Sequence, residues 1–596
     1  MSVLDRIERL RNVMEQQKID CYIIPTDDYH HSEYVGDYFK FREYITSFTG
    51  SAGTAVFTKD KAGLWTDGRY FIQAEAQLKG SGITLYKSGE SDVPTIEEFL
   101  KSELKEGDVL GFDGRTVTYA QGKRYCHIAD ENGASLKYSL DFAQNIWKER
   151  PEMSMEPVFS LEDEYTGEKI GSKLERIREV MKENGCNAHV LSSLDDIAWL
   201  LNIRGNDIAY CPLVLSYAIV YNNSVELFAD IRKFSDDIIN LLAENQVKIY
   251  PYEDIYRKVS EMTSEDKLLL DSSIMNYSLY QAISKETVIV DKQNPEILMK
   301  SVKNETQAEN LRKAHLKDAV AHTKFMYWLK KNIGRVEITE LSASARLEGL
   351  RAEQEHFLGP SFGPISAYGE HGAIVHYSAD EKSNVPLKEG KLFMTDTGGH
   401  YLEGSTDITR TVALGEVGNI EKEHFTLVAR AMLRLANTVF LYGCSGANLD
   451  CISREVFWKE GLNFNHGTGH GVGYLLNIHE GPINFRWKEG ERPAPALEEN
   501  MVITDEPGIY IEGSHGIRLE NELLVRKTVK NEYGQFMNFE ILTYVPIDLD
   551  AILPEKMSTE EKEMLNHYHK QVYEKVSPYL SEEERIWLKE YTRAVK

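Results

Sequence analysis

Five side chains of the kinds that bind divalent metal ions lie in the second half of the sequence. Asp396 and Asp407 occur in two successive β-rich runs of apolar and β-branched residues. His470 lies in a glycine-rich segment. Glu506 closes a further strand-like run, and Glu520 follows a short way beyond it. The positions of these residues relative to the strand-like segments therefore predict ligands at the ends of several strands.

Four carboxylates and one imidazole suit hard or borderline cations, Mn²⁺ above all, with Co²⁺ and Zn²⁺ as alternatives. The four negative charges balance two divalent cations. Two such ions held close together activate a water molecule and polarise a carbonyl group. The set therefore predicts a two-metal hydrolase.

Each of these acidic residues has an ordinary interpretation when it is taken alone. A single aspartate at the end of a strand is more often a turn or cap residue than a metal ligand. Glu522 lies two residues beyond Glu520 and is an equally good candidate by type. The prediction therefore depends on the five residues occurring together.

Two other classes of catalytic motif do not fit the sequence. The glycines of residues 466–473 resemble a phosphate-binding loop, but the Lys-Ser/Thr pair is missing and a predicted helix, not a strand, precedes them. No HExxH motif occurs, which excludes the single-zinc proteases that use it. Glycines that let an imidazole approach a metal explain the segment better.

Length and charge limit the class of protein. A chain of 596 residues predicts two to four domains. The net charge of −26 argues against nucleic acid or an anionic membrane as a partner. No run of 18 apolar residues, secretion signal or lipid-anchor tail occurs, and the six cysteines form no disulfide framework. We expect a soluble, cytoplasmic protein.

An internal repeat organises the first half of the chain. The amphipathic segment that begins at Ile7 recurs at Leu174, and each copy leads into an apolar strand, at Cys21 and at Ala188. Two copies of one α/β unit are predicted, over about 1–158 and 159–300.

The remainder begins and ends with helices. A capping pattern at Thr306 predicts a long helix that continues to about Lys331. Another helix is expected just before the glycine-rich segment and should stop at Gly461. Beyond about Leu553 the pattern is helical, starting from a capping box at Ser558. We expect the apolar face of this tail to pack on the catalytic part: Leu565, Tyr568, Val572 and Val576.

The segments HGTGHGVG, TDEPG and GIRLEN together resemble the M24, or pita-bread, metallopeptidases, and specifically the Xaa-Pro aminopeptidases of the long, three-domain type. The resemblance implies an α/β (α+β) fold. Two creatinase-like domains, 1–158 and 159–300, would precede a pita-bread catalytic domain, 301–596, with a helical extension from about 553. It also implies two metals, usually manganese, on five residues: Asp396, Asp407, His470, Glu506 and Glu520.

The resemblance further implies roles for three histidines. His376, His466 and His479 match active-site histidines of the family. His376 and His479 are expected to bind the substrate carbonyl and the developing oxyanion, and His466 to position substrate. Glu506 is expected to act as general base and then general acid. Arg518 is expected to orient the ligand carboxylates.

The predicted function is release of the N-terminal residue from peptides with proline at position 2, by a homodimer. The nearest alternative is prolidase, which cuts Xaa-Pro dipeptides, although prolidases usually carry one N-terminal domain. A non-catalytic relative is disfavoured because no ligand is missing. The sequence departs from the family pattern at Gly363, His371 and His400, which affects expectations about substrate subsites only.

Three further features have a structural interpretation. Arg69 is expected to pair internally near the turn at Gly68, with a substrate-facing role as the alternative. The tracts His30-His31 and His567-Tyr568-His569 lack nearby ligand partners, and we expect these histidines to lie on the surface.

Overall fold

The structure is a computed structural model that describes residues 1–488, 490 and 493–596. The chain divides into two compact units. One consists of residues 1–161 and 168–296, and the other of residues 162–167 and 297–596.

A six-stranded sheet occupies the first part of the N-terminal unit. Its strand order is β4-β3-β2-β1-β5-β6, where β1 pairs antiparallel with β2 and parallel with β5. Successive residues of β1 belong to different hydrophobic clusters, so both faces of the sheet are covered. The elements are α1 Val3–Gln17, β1 Cys21–Pro25, α2 Phe41–Thr46, β2 Thr54–Thr58, β3 Ala62–Thr66, α3 Phe71–Gln77, β4 Thr84–Lys87, α4 Ile96–Glu103, β5 Val109–Phe112, α5 Tyr119–Glu131, β6 Ser135–Lys137 and α6 Ala143–Ile146.

The next stretch repeats this arrangement. Its sheet has the order β12-β11-β10-β8-β13-β14, and each pairing has the same direction as its counterpart in the first sheet. The repeat predicted from the helices α1 and α8 is therefore confirmed. The elements are β7 Phe159–Ser160, α7 Asp163–Thr166, α8 Ile170–Glu183, β8 Ala188–Leu191, α9 Leu194–Leu200, β9 Ile203–Arg204, β10 Tyr217–Tyr221, β11 Val225–Phe228, α10 Asp236–Glu244, β12 Val247–Tyr250, α11 Asp254–Ser260, β13 Lys267–Leu270, α12 Tyr277–Ala282, β14 Val288–Asp291 and α13 Pro295–Ser301.

The C-terminal unit combines long helices with small sheets. A six-stranded sheet has the order β21-β28-β27-β24-β22-β23, and β16, β17 and β20 form a second, three-stranded sheet. The elements are α14 Glu305–Asn332, α15 Glu340–Ala352, β15 Phe357–Pro360, β16 Ile365–Tyr368, β17 Lys391–Thr397, β18 Gly399–Tyr401, β19 Gly404–Ser405, β20 Ile408–Leu414, α16 Asn419–Ala436, β21 Phe440–Leu441, α17 Gly446–Trp458, β22 Gly469–Val472, β23 His479–Phe485, β24 Val502–Asp505, β25 Gly508–Ile511, β26 His515–Arg518, β27 Asn521–Asn531, β28 Gly534–Ile541, α18 Thr559–Val576 and α19 Glu582–Tyr591.

The helix boundaries follow from their caps. Helix α14 begins after Asn304, whose side chain forms a capping box with Gln307. The predicted capping pattern at Thr306 is therefore wrong by two residues, because asparagine caps as well as threonine does. Helix α17 precedes the glycine-rich segment, and Gly461 beyond it has a φ of 69°, so the predicted stop is confirmed.

The helical tail packs on the catalytic unit as predicted. Ser558 caps α18 through a capping box with Glu561. The four predicted apolar residues are buried in the main cluster of this unit. No helix among the residues that the structure describes is long and apolar enough to cross a bilayer.

The prediction of surface histidines is wrong for three of the four residues. The His31 side chain is only 7% exposed, and its Nδ1 lies 2.7 Å from Asp27 Oδ2. His30 and His569 are buried, with 3% and 0% of their surface exposed. The His30 ring pairs through Nδ1 with the Ser192 carbonyl at 2.9 Å. His569 Nε2 accepts a hydrogen bond from the Ile547 backbone at 3.0 Å. Burial is tolerated because these ring nitrogens have partners.

Candidate metal centre

Neighbouring strands carry the first two predicted ligands. Asp396 lies in β17 opposite Thr409 of β20. Asp407 directly precedes β20, so the antiparallel pairing brings both carboxylates to one end of this ladder. Both aspartates are buried.

The other three ligands come from the six-stranded sheet. His470 lies in β22, Glu506 directly follows β24, and Glu520 directly precedes β27. The strands β22, β24 and β27 are consecutive neighbours in the sheet. The Glu520 backbone N–H also donates to the Thr409 carbonyl at 3.1 Å, which joins the two ladders.

The donor atoms converge into three overlapping groups. Within each group, one ligand atom from each residue lies within 4.8 Å of the others. Asp407, His470 and Glu520 each belong to two groups, so the three groups form one connected cluster. The groups are Asp396, Asp407 and Glu520; His470, Glu506 and Glu520; and Asp407, His470 and His479.

The charges and free oxygens of the cluster fit cations. Burial, followed by repulsion from Asp396, raises the pKa of Asp407 well above its usual range. Burial and then the charge of Asp407 do the same to the pKa of Glu520. Burial also raises the pKa of Glu506, although His470 opposes the shift. Asp396 Oδ1 is buried and has no hydrogen-bond partner among the described residues, which suits a metal ligand.

The three histidines predicted to act in the site differ in their relation to these groups. The ring of His479 has its centroid 4.3 Å from that of His470 and lies in a potential ligand group. His376 follows the 3₁₀ helix Gly369–Ala373 and enters no ligand group among the described residues. His466 contacts Tyr510 Oη through Nε2 at 2.8 Å. Burial, followed by the charge of Arg518, lowers the pKa of His466 to about 3.

Arg518 and Tyr510 connect the histidine side of the site to a ligand. Arg518 donates to Asp396 Oδ2 from Nε at 3.0 Å and from Nη2 at 2.5 Å, as predicted. Its Nη1 donates to Tyr510 Oη at 2.7 Å. Tyr510 was not predicted from the sequence, although it lies in the β25–β26 hairpin that also carries Arg518.

Glu522 and Glu520, which the sequence left as equal candidates by type, have different environments in the structure. Glu522 enters no ligand group in the part of the chain that the structure describes. Its Oε1 instead accepts the Asp407 backbone N–H at 2.6 Å. Two of the departures from the family pattern also lie outside these groups: His371 contacts Glu340 and His400 contacts Ser405, both at 2.8 Å.

In the N-terminal unit, Arg69 pairs with Asp67, from Nη2 to Oδ2 at 2.8 Å. The predicted internal ion pair is confirmed. All six cysteines are free.

Family models match along most of the chain. The creatinase/prolidase N-terminal domain matches residues 6–137 and 149–307. Metallopeptidase family M24 matches residues 309–527, and the C-terminal region of peptidase M24 matches residues 535–595. Xaa-Pro aminopeptidase 1 of Dictyostelium discoideum is 35% identical over 97% of this chain and 94% of that protein. The chain belongs to the Xaa-Pro aminopeptidase family.

Solved structures agree with this membership. The chain is similar to an X-prolyl aminopeptidase from Caenorhabditis elegans, described as a cytosolic enzyme with a di-nuclear active site, with a TM-score of 0.95, 33% identity and full coverage of both chains. An Xaa-Pro dipeptidase from Bacillus anthracis shares the fold, with a TM-score of 0.51 and 24% identity over 64% of this chain and 99% of that one. The predicted fold and metalloaminopeptidase class are confirmed, and the prolidase alternative has less support.

Proposed function

We propose that Asp396, Asp407, His470, Glu506 and Glu520 hold two divalent metal ions, Mn²⁺ by preference, in an enzyme that releases the residue before proline. The convergence of their donor atoms into overlapping groups supports this assignment most directly. The di-nuclear site ascribed to the Caenorhabditis elegans protein also supports it. When bound, the two ions would activate a water molecule and polarise the scissile carbonyl.

Glu506 is the proposed general base and acid. Its side chain is 19% exposed, against 6% for Asp407, so substrate can reach it more readily. It would take a proton from the attacking water and deliver it to the proline nitrogen. That nitrogen has no N–H of its own and must be protonated to leave.

The histidines are proposed to bind substrate. His376 and His479 would donate hydrogen bonds to the scissile carbonyl and to the oxyanion that develops there. His466 has a lowered pKa and stays neutral at physiological pH, so it would position substrate through its shape and hydrogen bonds, not through charge. The Tyr510 hydroxyl fixes its ring.

A small peptide panel with Mn²⁺ tests the assignment of substrate. Xaa-Pro-Yaa peptides should release Xaa, Xaa-Ala-Yaa peptides should react much more slowly, and N-acetylated peptides should be inert. A chelator should abolish every reaction. Cleavage of acetylated peptides, or full activity in metal-free protein, would contradict the proposal.

The same panel separates this function from that of prolidase. Prolidase would prefer the bare Xaa-Pro dipeptide to any tripeptide. The duplicated N-terminal sheet and the full-length similarity to an X-prolyl aminopeptidase favour longer peptides. A wide preference for dipeptides would support prolidase.

We also propose domains at about 1–158, 159–300 and 301–596, in a cytoplasmic homodimer. The repeated sheet order and the matched ranges of the family models support the domains. The cytosolic description of the Caenorhabditis elegans protein supports the location. Light scattering in solution tests the dimer, and a monomeric mass would contradict it.

A further inference from the structure

A buried carboxylate and a buried imidazole lie directly behind Asp407. Glu522 Oε1 accepts the Asp407 backbone N–H at 2.6 Å, and its Oε2 lies 3.1 Å from His315 Nε2. The side chains of both Glu522 and His315 are fully buried. The hydrogen bond anchors Asp407 immediately before β20 begins.

A second contact from the same helix holds the preceding residue. Asp318 lies three residues after His315 in α14, so the two side chains share one helix face. Its carboxylate accepts a hydrogen bond from the Thr406 hydroxyl. Arg351 donates to the other Asp318 oxygen from Nε at 2.7 Å. Thr406 Oγ1 also accepts the Gly399 N–H at 2.9 Å, which ties the turn to β18.

These contacts meet at the aspartate that belongs to two ligand groups. Displacing it would disturb both groups together. Burying polar groups costs free energy unless they form hydrogen bonds, so these contacts restrict where the Asp407 backbone can lie.

We infer that helix α14 fixes the position of Asp407, through Glu522 and His315 on one side and through Asp318 and Thr406 on the other. Glu522 and Asp318 are positioning residues for the metal centre, and neither is a ligand. The inference rests on the proposed function, in which Asp407 binds metal.

The reach of the side chain at position 522 gives the sharpest test. Glu522→Gln keeps a carbonyl oxygen of the same length for the Asp407 N–H. Glu522→Asp keeps the charge but is one methylene shorter, so it cannot reach Asp407 and His315 together. The affinity for Mn²⁺ is measured by competition with a fluorescent chelator, alongside kcat and KM for an Xaa-Pro-Yaa peptide.

We expect Glu522→Gln to stay within about threefold of the wild-type Mn²⁺ affinity, and Glu522→Asp to lose about 10–100-fold. Excess Mn²⁺ should restore kcat in Glu522→Asp, with KM for peptide unchanged. If Glu522→Asp binds Mn²⁺ as tightly as Glu522→Gln does, the inference is wrong. The same holds if Glu522→Gln loses affinity while Glu522→Asp keeps it, because the charge and not the reach of the side chain would then be decisive.

A second pair tests the other contact and covers any variant that does not fold. Thr406→Ser keeps the hydroxyl that Asp318 accepts, whereas Thr406→Val keeps the shape and removes it. Thr406→Val should lose about tenfold or more in Mn²⁺ affinity, and Thr406→Ser should not. Equal affinities in this pair would contradict the role of Asp318.

The N-terminal unit supplies a matched control. His189 and Glu296 form a fully buried pair with Nε2 and Oε2 3.2 Å apart, and no proposed ligand lies in that unit. Glu296→Gln should leave Mn²⁺ affinity unchanged, and a loss there would show that the assay reports general destabilisation.

Asp407→Ala separates this inference from the proposed function. If Asp407→Ala keeps wild-type Mn²⁺ affinity, the proposed metal centre itself fails. If Asp407→Ala loses metal while Glu522→Asp and Thr406→Val keep it, only the positioning role fails.

Discussion

At the scale of single residues, His479 has two candidate roles, as a metal ligand and as a hydrogen-bond donor to substrate. Its ring is close enough to His470 to be grouped with Asp407 as a potential ligand. The proposed mechanism instead assigns it to substrate, because five other side chains already balance two divalent cations. The position of His479 alone does not distinguish a metal ligand from a side chain beside the metals. The number of metal ions bound by a His479 variant does.

We predict that His479→Ala and His376→Ala both keep two metals per chain while kcat falls. Loss of one well-placed oxyanion donor costs on the order of 10²–10³ in rate. Elemental analysis of the purified variants, beside their kinetics, checks this. His567→Ala, at an exposed histidine, is the control and should change neither quantity. A His479→Ala protein with one metal would make His479 a ligand.

Residue types in the sequence indicate the proposed ligands more readily than the residues that position them. Asp396, His470 and Glu506 are recognisable because carboxylates and an imidazole occur together in strand-like and glycine-rich segments of the same half of the chain. Tyr510 and His315 carry no such mark. Tyr510 contacts Arg518 and His466, and His315 contacts Glu522. Such contacts depend on packing that no local pattern records.

At the scale of elements, the tail helix α18 is tied to the strand ends that carry ligands. The Tyr568 hydroxyl donates to the Val545 carbonyl at 2.6 Å and accepts from Arg410 Nη2 at 2.7 Å. Arg410 Nη1 in turn donates to the carbonyl of Glu520. The tail therefore braces a proposed ligand from behind without entering the site.

We expect Tyr568→Phe to lower the free energy of unfolding by about 0.5–1.5 kcal/mol, because it removes the buried hydrogen bonds of the hydroxyl while Arg410 and the Val545 carbonyl stay paired with each other. Bound metal and kcat should stay at wild-type values, since Arg410 keeps its other acceptors. Urea denaturation measures the change. Tyr579→Phe alters an exposed tyrosine in the same tail and should have no effect. Loss of metal in Tyr568→Phe would give the tail a larger role than packing.

Predictions of elements succeeded where the periodicity of apolar residues was strong. They failed where hydrogen bonds determine a helix boundary or the burial of a side chain. The buried face of α18 follows from its spacing of apolar residues. The start of α14 was misplaced because several capping residues lie close together there. The surface assignment of His30 and His569 failed because their partners, Ser192 and Ile547, are distant in sequence.

At the scale of the whole molecule, the metal centre couples stability to pH. In the metal-free enzyme, burial raises the pKa of Asp407, Glu506 and Glu520. These groups therefore stay protonated in the folded protein at pH values where the unfolded chain, with ordinary pKa values near 4, has released its protons. The stability of the metal-free protein should fall as pH rises from about 4 through the raised pKa values.

Bound cations remove this effect because they neutralise the ionised carboxylates. The increase in Tm on adding Mn²⁺ should thus be larger at about pH 8 than at about pH 5. Differential scanning calorimetry with and without metal measures it. Other buried acids, such as Asp505, contribute equally to both states and cancel in the difference. An increment independent of pH would contradict the assigned site.

The most direct test of the proposed metal centre is the number of metal ions that the enzyme needs for activity. Protein stripped with a chelator is titrated with Mn²⁺ while bound metal and hydrolysis of an Xaa-Pro-Yaa peptide are followed together. A two-metal centre on these residues predicts no activity without metal, full activity at two ions per chain, and fewer than two ions held by Asp407→Ala. Full activity in metal-free protein, or an Asp407→Ala variant that keeps two ions and the normal rate, would contradict it.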